Sequence, residues 1–179
     1  MANIILQCVY FILPAYFANM APVIVKDFFK KIAIPLDFGK TLGDKPIFGE
    51  HKTFRGLIFG VLFAIILTHM QYLLYQNNIF TDFAIVDYSN WLLIGFLLGL
   101  GAMIGDLIKS FLKRRLGYEP GKPFIPFDQT DFIIGALAFT YPITKLSFYK
   151  MLIIWTVSFV LHIIVNHIAF YTGIRREKW

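Results

Sequence analysis

Residues 91–132 read WLLIGFLLGLGAMIGDLIKSFLKRRLGYEPGKPFIPFDQTDF. The apolar run carries an acid, Asp106, near its end and turns into the basic cluster Lys113-Arg114-Arg115. It then passes through a loop rich in Gly and Pro and finishes on Asp128 and Asp131. At about 100° per residue, Gly95, Gly99, Ala102, Asp106, Lys109 and Lys113 share one narrow helical face, with Ser110 beside them. Small residues at one end of that face let another backbone or a flat ligand come close. At the other end, an ionisable group inside an apolar span costs about 2.5–3.5 kcal/mol at mid-membrane, so Asp106 and Lys109 need a function to justify their place.

The rest of the chain fits around a membrane. Its 179 residues are 58% hydrophobic and 18% aromatic with a mean hydropathy of +0.65, more apolar than a soluble core requires. An all-α integral membrane protein of one domain is expected, with about five transmembrane helices at 2–25, 57–75, 91–112, 132–147 and 151–173. The fourth is short, and Lys145 is expected to snorkel to the interface. The single cysteine, Cys8, lies in an apolar segment and excludes both a disulfide framework and a cysteine metal site.

Orientation follows from Lys and Arg. The loop 26–56 holds seven, the loop 113–131 holds four, and the tail holds Arg175, Arg176 and Lys178, whereas the connection 76–90 has none. The positive-inside rule then puts the N-terminus outside, the C-terminus in the cytoplasm, and both long loops on the cytoplasmic side. The N-terminal flank has no basic residue and no cleavage site stands out, so the first span is expected to be retained.

Pro14 and Pro22 kink the first span, and its Asn19 needs a partner inside the bundle. Segment 26–40, mixing Phe28, Phe29 and Ile32 with Lys26, Lys30 and Lys31, suits the headgroup layer. Residues 41–56 read TLGDKPIFGEHKTFRG. Glycines such as Gly49 let backbone amides approach an anion, and Lys40, Lys45, His51, Lys52, Thr53 and Arg55 offer donors to phosphate oxygens. A positive-inside flank explains the charges equally well, and the glycine spacing is not that of a Walker loop. His69 reads as an interfacial or packed histidine, and Ser158, His162 and Asn166 as an interhelical polar seam.

Asp106, Asp128 and Asp131 are hard oxygen donors of the kind Mg²⁺ accepts while binding substrate phosphates. One of the last two could instead cap a helix. The cations around them would repel a bare metal ion, and make sense if phosphates arrive with it. Mg²⁺ and basic residues together at headgroup depth suggest phosphoryl or nucleotidyl transfer to or from a lipid.

These residues also carry a resemblance. Gly105-Asp106, Lys109-Ser110, Lys113-Arg114-Arg115, the Gly/Pro loop and Phe127-Asp128-Gln129-x-Asp131-Phe132 are similar to the C-terminal signature of the CTP-dependent phosphatidate cytidylyltransferases. Departures from the usual form (Pro120-Gly121-Lys122, Pro126, Asp128-Gln129-Thr130-Asp131), with Gly49-x-x-Lys52-Thr53-x-Arg55-Gly56 upstream, resemble the archaeal branch, the CDP-archaeol synthases. The resemblance implies transfer of the cytidylyl group of CTP to 2,3-bis-O-geranylgeranylglycerol 1-phosphate, releasing pyrophosphate, with Mg²⁺ present. It implies metal binding by Asp106, Asp128 and Asp131 and a catalytic part for these and Lys109. It implies nucleotide or phosphate binding by Lys52, Thr53, Arg55, Lys113, Arg114 and Arg115, to which the loop's own donors and glycines add Lys40, Gly49 and His51 as candidates. Asn19, Gly95 and Gly99 are candidates for the face that meets the lipid. No nucleic-acid partner is expected. Two rivals stay open: a synthase acting on diacyl phosphatidate, and a small ion-coupled transporter with Asp106 and Lys109 along its path.

Overall fold

A computed structural model describes residues 3–119 and 122–172. Among these the chain is mostly helical: α1 Ile4–Ile24, α2 Phe54–Gln76, α3 Trp91–Arg115, α4 Phe127–Thr144 and α5 Phe148–Tyr171. Four of the helices, all but α4, are long and apolar enough to cross a membrane. Arg175, Arg176 and Lys178, counted above for orientation, and Pro120-Gly121 of the second loop lie outside the described residues.

The helices overrun the apolar windows at their ionic ends. α3 continues through Lys113, Arg114 and Arg115, cations well placed against the negative end of the helix dipole. α4 begins at Phe127, so Asp128 and Asp131 sit in its first turns rather than ahead of it. The side chain of Thr53 caps α2 by accepting the Gly56 N–H at 3.1 Å. Within the spans, Thr68 and Thr140 turn their hydroxyls back onto the carbonyls of Ala64 and Ala136, which satisfies them without a partner helix.

α3 is the central helix, packed against α1, α2 and α4. Cys8, Phe11, Ile12, Ala15 and Ala18 of α1, Ala64 of α2, Ile94, Leu98 and Ala102 of α3, and Phe132, Ile133 and Ala136 of α4 form the core. Ile58, Leu62, Ile66, Met70 and Leu73 of α2 stay exposed, every three or four residues, as a lipid-facing stripe requires. On the far side, His69 packs on Trp91 with ring centroids 4.3 Å apart, the packed histidine expected from the sequence.

The α3–α4 contact sets the site. A Cβ on Gly101 would overlap the Gly135 carbonyl, one on Gly105 the Asp131 carbonyl, and one on Gly135 the Gly101 carbonyl. Three glycines thus let two backbones touch, the small-residue packing that spanning helices use where lipid offers no hydrophobic drive. Gly105→Ala should therefore push α4 off α3, costing about 1–3 kcal/mol. A lowered melting midpoint in detergent together with lost activity is the expected result, and an unchanged midpoint would show that the helices have slack.

Of the polar positions expected to form a seam on α5, Asn166 has its side chain outside what is described. Tyr16 donates to the Ser158 carbonyl at 3.3 Å, and the His162 ring lies 6.4 Å from that of Phe132. Gln71 Nε2 donates to the Tyr10 carbonyl at 2.6 Å, tying α2 to α1.

The first basic loop is not featureless. Pro35 bridges to Thr53, Leu36 N–H donates to the Lys52 carbonyl at 2.7 Å, and Phe54 N–H to the Ile34 carbonyl at 3.0 Å. Between them stands a small antiparallel hairpin, β1 Thr41–Leu42 with β2 Lys45–Pro46, paired Thr41 to Pro46 and Leu42 to Lys45. The loop folds back over the end of α3 that carries the charges.

Candidate active site

Three carboxylates from two helices meet around one ammonium. Lys109 Nζ lies 3.2 Å from Asp106 Oδ1, 3.0 Å from Asp128 Oδ1 and 3.1 Å from Asp131 Oδ2. Asp106 and Lys109 are one helical turn apart on α3, while Asp128 and Asp131 occupy the matching turn of α4 that the glycine contact brings alongside. Lys52 reaches over from the loop to hold the other oxygen of Asp106. Lys113 closes the far end, 3.2 Å from Asp128 Oδ2, and also donates to the Lys122 carbonyl. Asp128 further accepts the Phe124 N–H at 2.6 Å, which fixes the chain entering α4.

Half of this cluster is buried, with Asp106, Lys113 and Asp131 each below 10% exposed, while Lys52 and Asp128 keep about a quarter of their side chains in reach of solvent. Charges taken out of water survive only when paired, and here three acids face three lysines.

A pocket of about 370 Å³ opens beside the cluster, walled by Pro46, Phe48, Gly49, Glu50, His51 and Lys52 of the loop and by Lys109, Ser110, Lys113 and Arg114 of α3. A narrow, mainly apolar slot adjoins it, with Pro22, Leu57, Met103 and Leu107 in its walls and Asp106 and Lys52 at its polar end. The two cavities share His51 and Lys52, and Asp106 lines only the slot.

The donors suit a hard divalent cation. They are carboxylate oxygens, the Lys109 ammonium sits among them as a stand-in cation, and Asp131 Oδ2 is enclosed with no donor aligned to it in hydrogen-bond geometry. With Lys109 in that place, no three acidic, imidazole or thiol groups among the described residues are grouped closely enough to share an ion.

Other sequence candidates have different employment. Arg115 gives its guanidinium to the backbone carbonyls of Leu42, Lys45 and Pro46 and lies over the Phe111 ring at 5.4 Å, pinning the hairpin to α3. Arg55 donates to the Phe28 carbonyl at 2.9 Å, anchoring the segment that follows α1. Thr53 is the α2 cap, and Lys40 is exposed. Gly49, His51, Lys52, Lys113 and Arg114 line the pocket.

Gly95 and Gly99 require a correction. Neither faces a lipid: a Cβ on Gly95 would come within 2.9 Å of Ile65 Cα, and one on Gly99 within 2.8 Å of the Ala64 side chain. Both are spent on close packing with α2, because the single narrow face read from the sequence passes from α2 to the ionic cluster as it climbs the helix. Asn19 is half-buried on α1.

One residue was not anticipated. Asp37, 5% exposed, accepts the Gly39 N–H on one oxygen and those of Phe48 and Gly49 on the other, each at 3.0 Å. Desolvation opposes its charge, but the amides of Phe48, Gly49 and Gly39 outweigh that and hold the carboxyl below its ordinary value. The Asp37-Phe38-Gly39 spacing, an acid two residues before a glycine, is the signal of such a turn.

Comparison with known proteins follows the same lines. The family model described as CarS-like, CDP-archaeol synthase, matches residues 1–179. A CDP-archaeol synthase of Pyrococcus furiosus is 38% identical over 98% of this chain and 95% of its own length, and one of Methanocaldococcus jannaschii is 36% identical over 99% and 98%. A solved structure described as an intramembrane enzyme for archaeal membrane lipids biosynthesis superposes with a TM-score of 0.75 at 29% identity, covering 90% of this chain and 94% of that one.

Proposed function

Because the chain belongs to the CDP-archaeol synthase family and is a multi-pass membrane cytidylyltransferase, we propose that it transfers the cytidylyl group of CTP to 2,3-bis-O-geranylgeranylglycerol 1-phosphate. The products are CDP-archaeol and pyrophosphate, and the site faces the cytoplasm. The observation that carries this reading is the meeting of Asp106, Asp128 and Asp131 around Lys109, beside a cationic pocket and an apolar slot.

In this reading the triphosphate enters the pocket between the loop and α3, where Lys52, Lys109, Lys113 and Arg114 counter its charge. The lipid phosphate arrives from the membrane side, its chains staying apolar while its headgroup reaches Asp106 and Lys52. A phosphate oxygen of the lipid then attacks the α-phosphorus of CTP. One P–O bond forms there as the bond to the bridging oxygen breaks, and the electron pair leaves on pyrophosphate. The nucleophile is already an anion, so no base need remove a proton. Positioning and charge cancellation supply the catalysis, with Lys52, Lys113 and Arg114 placed to neutralise the leaving group. Asp106, Asp128 and Asp131 would hold Mg²⁺, which when bound supplies neutralisation of phosphate charge through hard oxygen contacts.

Purified protein incubated with α-labelled CTP, Mg²⁺ and either the isoprenoid ether phosphate or diacyl phosphatidate tests the assignment. Label is expected in the ether lipid. Label in the diacyl lipid alone would move the substrate to the ester class, and label in neither would remove the reading.

A further inference from the structure

We infer that Asp37, which does not line the pocket, is a positioning residue that sets the nucleotide-side wall through backbone amides. The inference rests on the cytidylyltransferase reading and extends it to a residue outside the site itself. A continuous hydrogen-bonded path runs from this carboxylate to the cluster. Asp37 accepts the Gly49 N–H, the Gly49 carbonyl accepts the Lys52 N–H at 3.1 Å, and the Lys52 side chain ends on Asp106.

The carboxylate also holds both ends of the hairpin at once. On one side it takes the Gly39 amide, and on the other the Phe48 and Gly49 amides, so the strands enclosing residues 40–47 are tied at their base. Gly49 sits at φ +99°, a backbone state that needs such support and that a side chain would strain. Arg115 pins the tip of the hairpin to α3 through three carbonyls. Only the base depends on Asp37, and the base carries Phe48, Gly49, His51 and Lys52 into the pocket wall. A carboxylate suits this task because its two oxygens accept three amides, whereas an amide side chain offers one acceptor.

Asp37→Asn changes little volume but turns one accepting oxygen into a donor, so one set of amides loses its partner. The variant is expected to raise both the KM and the directly measured dissociation constant for CTP by about 10-fold or more, the usual scale for losing a residue that orients a binding group. KM for the lipid phosphate should rise less than KM for CTP, because the apolar slot walls Pro22, Leu57, Met103 and Leu107 lie on helices α1, α2 and α3, while the loop gives the slot Leu36, His51, Lys52 and Thr53. A merely structural role would lower the melting midpoint and disturb both substrates alike. That result, or unchanged CTP binding, overturns the inference.

Amide hydrogen exchange on the wild-type protein gives a second, independent reading. Phe48 and Gly49 should exchange at least about 10-fold more slowly than unpaired loop amides, and unprotected amides there would overturn the inference even if the variant fails to fold. If the wild type binds no CTP at all, the functional assignment fails, while the exchange measurement still decides whether Asp37 clamps the loop.

Discussion

Asp106→Asn is expected to cut cytidylyl transfer by at least about 10²-fold while leaving the protein folded. The side chain joins three parts of the site: it pairs with Lys52 from the loop and Lys109 from its own helix, and it closes the polar end of the apolar slot. Asn keeps the shape but loses the charge that orients both lysines and the donor strength a hard cation needs. Losing a single preorganised charge-stabilising group costs on the order of 10²–10³-fold in comparable sites. Folding should survive because the substitution preserves volume and Lys109 retains Asp128 and Asp131 as partners. Label transfer from CTP measures the first effect and a melting midpoint in detergent the second; wild-type transfer would take Asp106 out of the chemistry.

The second large effect falls on stability. Lys109→Met should destabilise by about 3–5 kcal/mol, since it leaves three carboxylates, two of them buried, with their central cation gone. Lys52 and Lys113 reach only Asp106 and Asp128, so Asp131 would have no counter-charge among the described residues. Adding Asp131→Asn to the Lys109→Met protein should therefore recover part of the loss. The coupling between the two, read from the four melting midpoints of a double-mutant cycle, separates this pairing from the lost packing of the lysine stem. Additive effects would mean that Lys109 and Asp131 do not interact, against the 3.1 Å contact.

The transporter alternative loses its basis here. Its relatives by sequence are named as synthases, and the charges are not strung along a path but gathered at one end of α3, over which the basic loop folds.

How much of this was legible beforehand varies by residue. Four of the five expected spans coincide with helices long and apolar enough to cross a membrane, because 20-residue apolar windows are a local property of the chain, whereas α4, at the expected span 132–147, is not one of them. The ionic end of α3 was legible as well, since a 3.6-residue period puts Asp106, Lys109 and Lys113 together without reference to any other helix. Gly95 and Gly99 were assigned to the right face but the wrong neighbour: period says which residues share a side, not which helix covers it. Arg55 and Arg115 look in sequence like any phosphate-binding arginine, and only the fold reveals that backbone carbonyls, which leave no trace in side-chain patterns, claim their guanidinium groups.

The sequence by itself determined that this is a helical membrane protein with acids and lysines gathered near one end of its central helix, because burial cost and helical period act within a single segment. The tertiary structure alone decided that Asp106 and the Asp128–Asp131 pair share one ammonium, and that Asp37 governs a loop wall eleven residues away. The reason is contact between backbones. Gly101, Gly105 and Gly135 bring α3 and α4 close enough for their charges to meet, and whether two glycine faces find each other is a property of the packed bundle that neither helix encodes alone.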